Sequence, residues 1–289
     1  MKLRDLVREI PGFIEVSGSG DIDIRSVSSD SREKTDNGLF FCIAGAKHDG
    51  HLHATQAVEN GGVALVVTRL LPDTAAVQVL VENDRLAMAH IAAAFFGYPA
   101  RELKLIGVTG TKGKTTTTYL LKAIMEQAGY NCGLIGTTGN MIGQTRIKSD
   151  LTTPDSVELQ GLLRRMADEG VQVVCMEISA HALAMYRLEG LIFEVGGYTN
   201  LSLDHLDFFG TMEQYFAVKK SFFTSGMVKN ASFNADEDTT KEILRDISIP
   251  YITYGICVSA DLFARDIEVS ENGVSFELRD RKSVCRERV

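Results

Sequence analysis

The side chains best suited to chemistry gather in residues 105–121, LIGVTGTKGKTTTTYLL. Lys114 and Thr115 follow Gly110 and Gly113 there. An apolar run ending at Val108 reads as a buried parallel strand, and Tyr119, Leu120 and Ile124 resume at helical spacing. A strand, a glycine-bearing loop and a helix together make a phosphate-binding arrangement. Glycines let backbone N–H groups approach oxygen atoms, and the helix N-terminus adds partial positive charge. Lys114 can then reach outer phosphates, and the Thr115 hydroxyl can ligate Mg²⁺. The spacing departs from G-x-x-x-x-G-K-[ST]: Val108 stands where the first glycine would be, and Gly110 lies three residues before Gly113.

Three further clusters carry candidate chemistry. The apolar run 171–176 ends in Glu177, followed by Ile178, Ser179, Ala180 and His181. Ligands of an open α/β sheet gather at the carboxyl ends of its strands, so Glu177 reads either as an Mg²⁺ ligand or as an exposed strand-end acid. His205 stands between Asp204 and Asp207 after another strand-like segment. A neutral imidazole there can be a second metal ligand with its tautomer set by a carboxylate, or a solvated loop histidine. Nearer the N-terminus, Ser28, Ser29, Asp30, Ser31 and Arg32, and also His48, Asp49, Gly50 and His51, are polar groups that ordinary turn chemistry would equally explain. Lys219 and Lys220 lie on a helix and, by residue type alone, read as solvent-facing.

These groups need a scaffold that brings strand ends together. Residues 1–98 read as a small α/β domain, with strands at 39–43 and 63–67 and helices at 51–60 and 85–97. Tyr98, Pro99 and Ala100 break the pattern. From residue 103 strands and helices alternate, as in a parallel sheet covered on both faces. Strands are expected at 104–108, 132–136, 171–177, 192–198, 230–234 and 250–254. Helices are expected at 114–128, 155–169, 211–224 and 238–246. The segments 261–269 and 274–278 flank Glu271, Asn272 and Gly273 as a hairpin. The central domain is thus expected over 99–280. Residues 281–289 show no periodicity and are expected as an irregular tail.

At 289 residues the chain can hold two domains, each with its own core. A hydrophobic content of 45% with 24% charged residues is that of a globular protein, and the net charge of −8 argues against general nucleic-acid or membrane-surface binding. Cys42, Cys132, Cys175, Cys257 and Cys285 are scattered, which suggests reduced thiols in place of a disulfide framework or zinc site. The charged N-terminus does not read as a signal peptide, and no apolar run is long enough to span a bilayer. A cytoplasmic protein fits these features; separately, a monomer is the expected state.

Taken in order, T-G-T-x-G-K-T-T-T (109–117), T-T-P (152–154), M-E-I-S-A-H-A-L (176–183), T-N-L-x-x-D-H-L-D (199–207) and G-T-M-E-x-Y-x-x-x-K (210–219) resemble the Mur ligases, and among them the tripeptide synthetases. The D-S-R at 30–32, G-L-F at 38–40 and D-G-H at 49–51 resemble the N-terminal domain of the same enzymes. The resemblance covers about residues 25–280. It implies a small N-terminal domain for the UDP-sugar and a central ATPase domain whose nucleotide loop is Gly110, Thr111, Lys112, Gly113, Lys114, Thr115 and Thr116. It further implies UDP-sugar contacts at Ser28, Ser31 and Arg32, and muramoyl-dipeptide contacts at Thr152, Thr153, Ser179 and Arg187. Glu177 and His205 match metal ligands, and Lys219 matches a lysine that becomes a carbamate, an anion able to organise Mg²⁺. Lys112, Ala180, Met185 and Phe209 depart from the usual residues.

The implied reaction is ATP-dependent amide formation. Phosphorylation of the terminal carboxylate of UDP-MurNAc-L-Ala-D-Glu gives an acyl phosphate, which the amine of a free diamino acid attacks. Meso-diaminopimelate is the expected amino acid and L-lysine the alternative. Lys114, Glu177, His205 and Lys219 would be the catalytic set, with Thr115, Glu177, His205 and carbamylated Lys219 around Mg²⁺. The third domain of Mur ligases is expected to be absent, so the chain is also expected to behave as a C-terminally truncated form. A P-loop NTPase of other specificity and a binding module without turnover are the competing classes.

Overall fold

The structure is a computed structural model that describes residues 1–8, 10–45, 48–256, 260–271, 273–280 and, for backbone alone, 284–288. It is α/β throughout, as expected. In chain order the elements begin with α1 (Leu3–Val7), β1 (Phe13–Ser17), β2 (Ser26–Ser28), β3 (Gly38–Phe41), α2 (Ala54–Glu59), β4 (Gly62–Val67), β5 (Val77–Val81) and α3 (Asp84–Phe95). They continue with β6 (Lys104–Thr109), α4 (Lys114–Gln127), β7 (Cys132–Ile135), β8 (Asn140–Ile142), β9 (Thr145–Ile147), α5 (Ser156–Asp168), β10 (Val173–Glu177) and α6 (Ala180–Ala184). The last are β11 (Phe193–Tyr198), α7 (Leu206–Phe209), α8 (Met212–Thr224), β12 (Val228–Asn234), α9 (Asp238–Arg245), β13 (Tyr251–Gly255), β14 (Leu262–Ser270), β15 (Gly273–Asp280) and β16 (Val284–Arg288).

The chain divides into two compact units, and the division is not a single cut. The first comprises Met1–Leu103, Pro154–Gly170 and Ala184–Leu191; the second comprises Lys104–Thr153, Val171–Leu183 and Ile192–Val289. The helix expected at 155–169 therefore belongs with the N-terminal elements. Its Val157 packs into their core.

The first unit is a five-stranded sheet in the order β1-β5-β4-β3-β2, parallel except for β1 against β5. Alternation along β3 and β4 assigns the two faces. Leu39, Phe41, Ala64 and Val66 join Leu3, Leu6 and Ile91 in one core, while Cys42, Leu65 and Val67 join Ala54 and Ala57 in the other. Both faces are covered, which is why these strands read as continuous apolar runs. The segments that became β1, β2 and β5 were not legible as strands of stated bounds, being short or flanked by polar turns.

The second unit is an eleven-stranded sheet in the order β16-β15-β14-β13-β12-β11-β6-β10-β7-β8-β9. Pairs from β14 to β7 across this list are parallel, and both ends finish in antiparallel ribbons. Leu121 and Met125 of α4, together with Ile106 of β6, pack on Cys132, Val173 and Cys175. Phe193 and Phe222 meet edge to face at 5.1 Å. The tail 281–289 lacks periodicity in sequence, yet Val284–Arg288 forms β16 along β15; an edge strand can be recruited by a neighbour's free hydrogen-bonding groups without apolar alternation. Cys42, Cys132 and Cys175 are buried free thiols, whereas Cys257, the side chain of Cys285 and the hairpin's Asn272 lie outside the described residues. No helix among the described residues is long and apolar enough to cross a membrane.

Close packing of α8 on the sheet depends on a missing side chain. A Cβ on Gly107 would lie 2.7 Å from Phe222 Cζ and 2.9 Å from Phe193 Cδ1, whereas one on Gly197 would meet nothing nearer than 3.7 Å. Gly107→Ala is expected to destabilise the chain by about 1–3 kcal/mol through overpacking. Gly197→Ala should cost far less. Urea denaturation of the two variants checks the contrast.

Candidate nucleotide and metal site

Register in the second sheet sets the site. Parallel pairing places Glu177 of β10 opposite Val108 of β6, and Tyr198 of β11 opposite Thr109 of β6. Three strands therefore end at one level, at the place where connections leave to opposite sides of β6. The loops that follow them hold the glycine segment, Ser179 and His205.

The glycine loop is clamped by the segment after β11. Gly110 has φ +143°, and a Cβ there would lie 1.9 Å from Thr199 Oγ1, so only glycine permits this approach. Thr199 Oγ1 donates to the Lys112 carbonyl at 2.7 Å. The Asn200 side chain accepts from the Lys112 amide at 2.9 Å and donates to its carbonyl at 3.1 Å. The Thr111 hydroxyl accepts from the Ser202 amide at 3.0 Å. The Thr-Asn pair thus supports the loop, a role its residue types alone did not reveal. Gly113, at φ +84°, is the N-cap of α4 and supplies no side-chain cap, so the first-turn amides of a 14-residue helix are left open to an anion.

Two lysines converge on this loop. Lys114 Nζ donates to the carbonyls of Gly110 and Thr111 at 2.9 and 3.0 Å, and Lys219 Nζ donates to Gly110 at 2.9 Å. Burial holds Lys114 below the ordinary lysine range, with Glu177 opposing the shift. Lys219 is pushed down to about 7, chiefly by burial and then by the charge of Lys114. The surface reading of Lys219 is therefore wrong, since it is 1% exposed. Lys220, one position on, turns outward to Asp246 at 2.6 Å. Successive helical residues point about 100° apart, and the lysine type cannot say which of the two faces inward.

Glu177, also 1% exposed, accepts from the Thr115 hydroxyl at 2.9 Å, the Thr137 amide at 2.9 Å and the Thr137 hydroxyl at 3.1 Å. All three donors are uncharged. Thr137 follows Gly136, and neither carries a residue type that signals a site, so sequence reasoning missed both. His205 adopts φ +54°, with its Nε2 3.8 Å from Asp204 Oδ2 and its ring edge-on to His181 at 4.8 Å. Phe209, where the resemblance implied another residue, is buried and stacks obliquely on Tyr215 at 5.3 Å.

A cavity of about 230 Å³ is lined by residues of the glycine loop together with Thr137, Thr152, Glu177, Ser179, His205 and Lys219. The second unit thus brings together Thr111, Lys112, Gly113, Lys114, Thr115, Thr152, Ser179, Glu177, His205 and Lys219. Three expected residues of this unit do not line the cavity, among them Gly110, whose carbonyl accepts from Lys114 and Lys219. Thr116 is exposed on α4, and Thr153 is fully buried, its hydroxyl donating to the Glu177 carbonyl at 2.9 Å and accepting from the Ser179 amide at 3.2 Å. Thr153 therefore braces the turn beneath the cavity through its hydroxyl. Among the described residues no three His, Cys, Asp or Glu side chains cluster as a metal site, so any cation would rely on hydroxyl or modified-lysine ligands as well.

The remaining candidates belong to the first unit. Ser28 is buried, its hydroxyl donating to Glu33 and accepting from the Asp30 amide at 3.0 Å. Ser31 Oγ donates to Gln56 Oε1 at 2.8 Å. Arg32 grips Asp30 with two nitrogens at 2.6 and 2.8 Å, and this hydrogen bonding holds the Asp30 carboxyl down at about 2. Ser31 and Arg32 line a cavity of about 390 Å³ with His48 and His53. Arg187 is half-buried, and burial lowers its guanidinium from the ordinary range while Asp155 opposes that shift.

The geometry has counterparts. Residues 108–286 match the Mur ligase middle domain. A UDP-N-acetylmuramoyl-L-alanyl-D-glutamate–2,6-diaminopimelate ligase of Geobacillus thermodenitrificans is 43% identical over 285 residues, covering 96% of this chain and 58% of its own length. The ligase of that name from Caldanaerobacter subterraneus is 42% identical and covers 98% of this chain and 58% of its own. A solved structure of a ligase of that name aligns over 99% of this chain and 59% of its own, with TM-score 0.86 and 25% identity. The chain thus spans under three-fifths of the length of these relatives.

The depressed Lys219 makes a stability prediction. An unfolded lysine binds its proton up to the ordinary range near 10.5, while folded Lys219 releases it near 7, so stability should rise with pH between those values. The slope from this one group is at most ~1.4 kcal/mol per pH unit. In buffer free of carbon dioxide, Lys219→Met should abolish that component of the rise. Denaturant titrations of both proteins between pH 6.5 and pH 10 check it.

Proposed function

The chain belongs to the Mur ligase family, and from that premise we propose that it serves ATP-dependent addition of the third amino acid, meso-diaminopimelate, to UDP-MurNAc-L-Ala-D-Glu in peptidoglycan precursor synthesis. The observation that carries the reading is the meeting of the glycine loop, Glu177, His205 and Lys219 around one cavity. The diaminopimelate in the names of the relatives favours that amino acid over L-lysine. The protein acts as a cytoplasmic monomer on this reading, with no membrane insertion.

A carboxylate and an amine do not condense directly at neutral pH. The terminal D-glutamate carboxylate attacks the γ-phosphorus of ATP, and ADP leaves. The incoming amine then attacks the acyl carbon, loses a proton and expels phosphate. No protein nucleophile is required. Lys114 and the open amides of α4 meet the charge on the phosphates. Thr152 and Ser179, facing the same cavity, are the polar groups for the acceptor side.

The donor set fits Mg²⁺. Glu177 is a buried carboxylate whose three hydrogen-bond donors are all neutral, and Thr115 offers a hydroxyl oxygen against it. Hard oxygen ligands of this kind suit Mg²⁺, and a buried charge calls for an opposite one. His205 and Lys219 line the same cavity as further ligands. When bound, Mg²⁺ offsets negative charge on the transferring phosphoryl group. Lys219 is suited to become a carbamate because an amine held near 7 is largely neutral at mildly alkaline pH. In the first unit, the cavity beside Ser31 and Arg32 is the UDP-sugar site on this reading, with Ser28 beneath it.

Calorimetric titration of the chain with UDP-MurNAc-L-Ala-D-Glu should give saturable binding. Absence of that binding while ATP still binds would replace this reading with an NTPase of other specificity. Carbon-13 NMR in labelled bicarbonate should show a carbamate resonance that strengthens from pH 6.5 to pH 8 and is lost in Lys219→Ala.

A further inference from the structure

Glu177 owes its position to a residue with no assigned role. Thr137 follows β7, whose partner β10 carries Glu177 at its end. Its amide reaches Glu177 Oε1 and its hydroxyl reaches Oε2, so one residue grips both carboxylate oxygens. A hydroxyl has a single proton. With that proton given to Glu177, the 3.0 Å contact between the Thr137 and Thr152 hydroxyls must have Thr152 as donor. Three threonines then point their hydrogens toward one carboxylate: Thr152 to Thr137, and Thr137 and Thr115 to Glu177. This polarity leaves the remaining oxygen lone pairs of Glu177 and Thr115 for a cation.

Gly136 makes the grip possible. A Cβ at Gly136 would lie 2.3 Å from Glu177 Oε1, and the group obliged to move would be the carboxylate itself. Gly136 does not sit at positive φ, so backbone conformation is not what requires glycine here. The requirement is room for the carboxylate.

We propose that Thr137, with room left by Gly136, is a positioning residue that sets the Glu177 carboxylate for the divalent cation accompanying the nucleotide. This inference rests on the reading of the cavity as an Mg²⁺-nucleotide site. Thr137 acts through its two hydrogen bonds to Glu177.

The test is the ratio of ATP affinities with and without Mg²⁺, measured by calorimetry on the full chain. Thr137→Val keeps the amide and the shape of the side chain but loses the hydroxyl, and Thr137→Ser restores it. The expected result is a 5- to 10-fold fall in the Mg²⁺-dependent gain for Thr137→Val, recovery to within twofold of the parent for Thr137→Ser, and unchanged ATP affinity without Mg²⁺ in both. Those magnitudes are of the order expected for the net contribution of one hydrogen bond. Gly136→Ala should reproduce the loss by displacing the carboxylate. An undiminished Mg²⁺ gain in Thr137→Val and Gly136→Ala would overturn the inference, as would an equal loss with and without Mg²⁺. Failure of the parent chain to bind ATP under either condition would overturn the nucleotide-site reading together with it.

Discussion

The in-register parallel pairing of β10 and β11 on either side of β6 is the constraint on which the site depends. It stops three strands at one level, Val108 beside Glu177 and Thr109 beside Tyr198. Glu177 is itself one of those strand ends, and the glycine loop, Ser179 and His205 are delivered by the segments that follow them. A slip in either register would carry the strand-end residues away from the glycine loop. Gly107 and Gly196 serve the same end from within the sheet, because Phe222 of α8 lies against both. That close approach helps bring Lys219, one turn earlier on α8, to the Gly110 carbonyl.

Around that level, charge is managed by separation. Two ammonium groups share the carbonyl of Gly110 while the buried carboxylate of Glu177 rests on neutral hydroxyls and an amide. Burial out of water, and then the like charge of Lys114, account for the depressed Lys219. The arrangement is costly for the chain alone and well matched to phosphates and a divalent cation. Thr199 and Asn200 hold the loop through hydrogen bonds to Lys112.

Much of this was legible from residue order. The loop 110–115 announces itself because glycine spacing, lysine and threonine have few other uses between a buried strand and a helix. Glu177 is legible because an apolar run that ends in an acid marks a strand end. The alternating elements between residues 104 and 255 follow from periodicity, since strands buried on both faces leave uninterrupted apolar runs. What was not legible is tertiary. Nothing in residue type distinguishes Lys219 from Lys220, and only the packing of α8 decides which is buried. Thr137 looks like any turn threonine, Thr153 looks as available as Thr152, and the association of α5 with the N-terminal sheet depends on Val157 meeting a core assembled from distant residues. Short strands such as β8 and β9 lack the length to show a period at all.

The most direct test of the account is a crystal structure of the chain grown with Mg²⁺ and a non-hydrolysable ATP analogue. The account predicts phosphates against the amides at the start of α4, with Lys114 turned toward them and Mg²⁺ between the Thr115 hydroxyl and the Glu177 carboxylate. An analogue bound elsewhere, or bound at the loop with Glu177 still held only by Thr115 and Thr137, would contradict it.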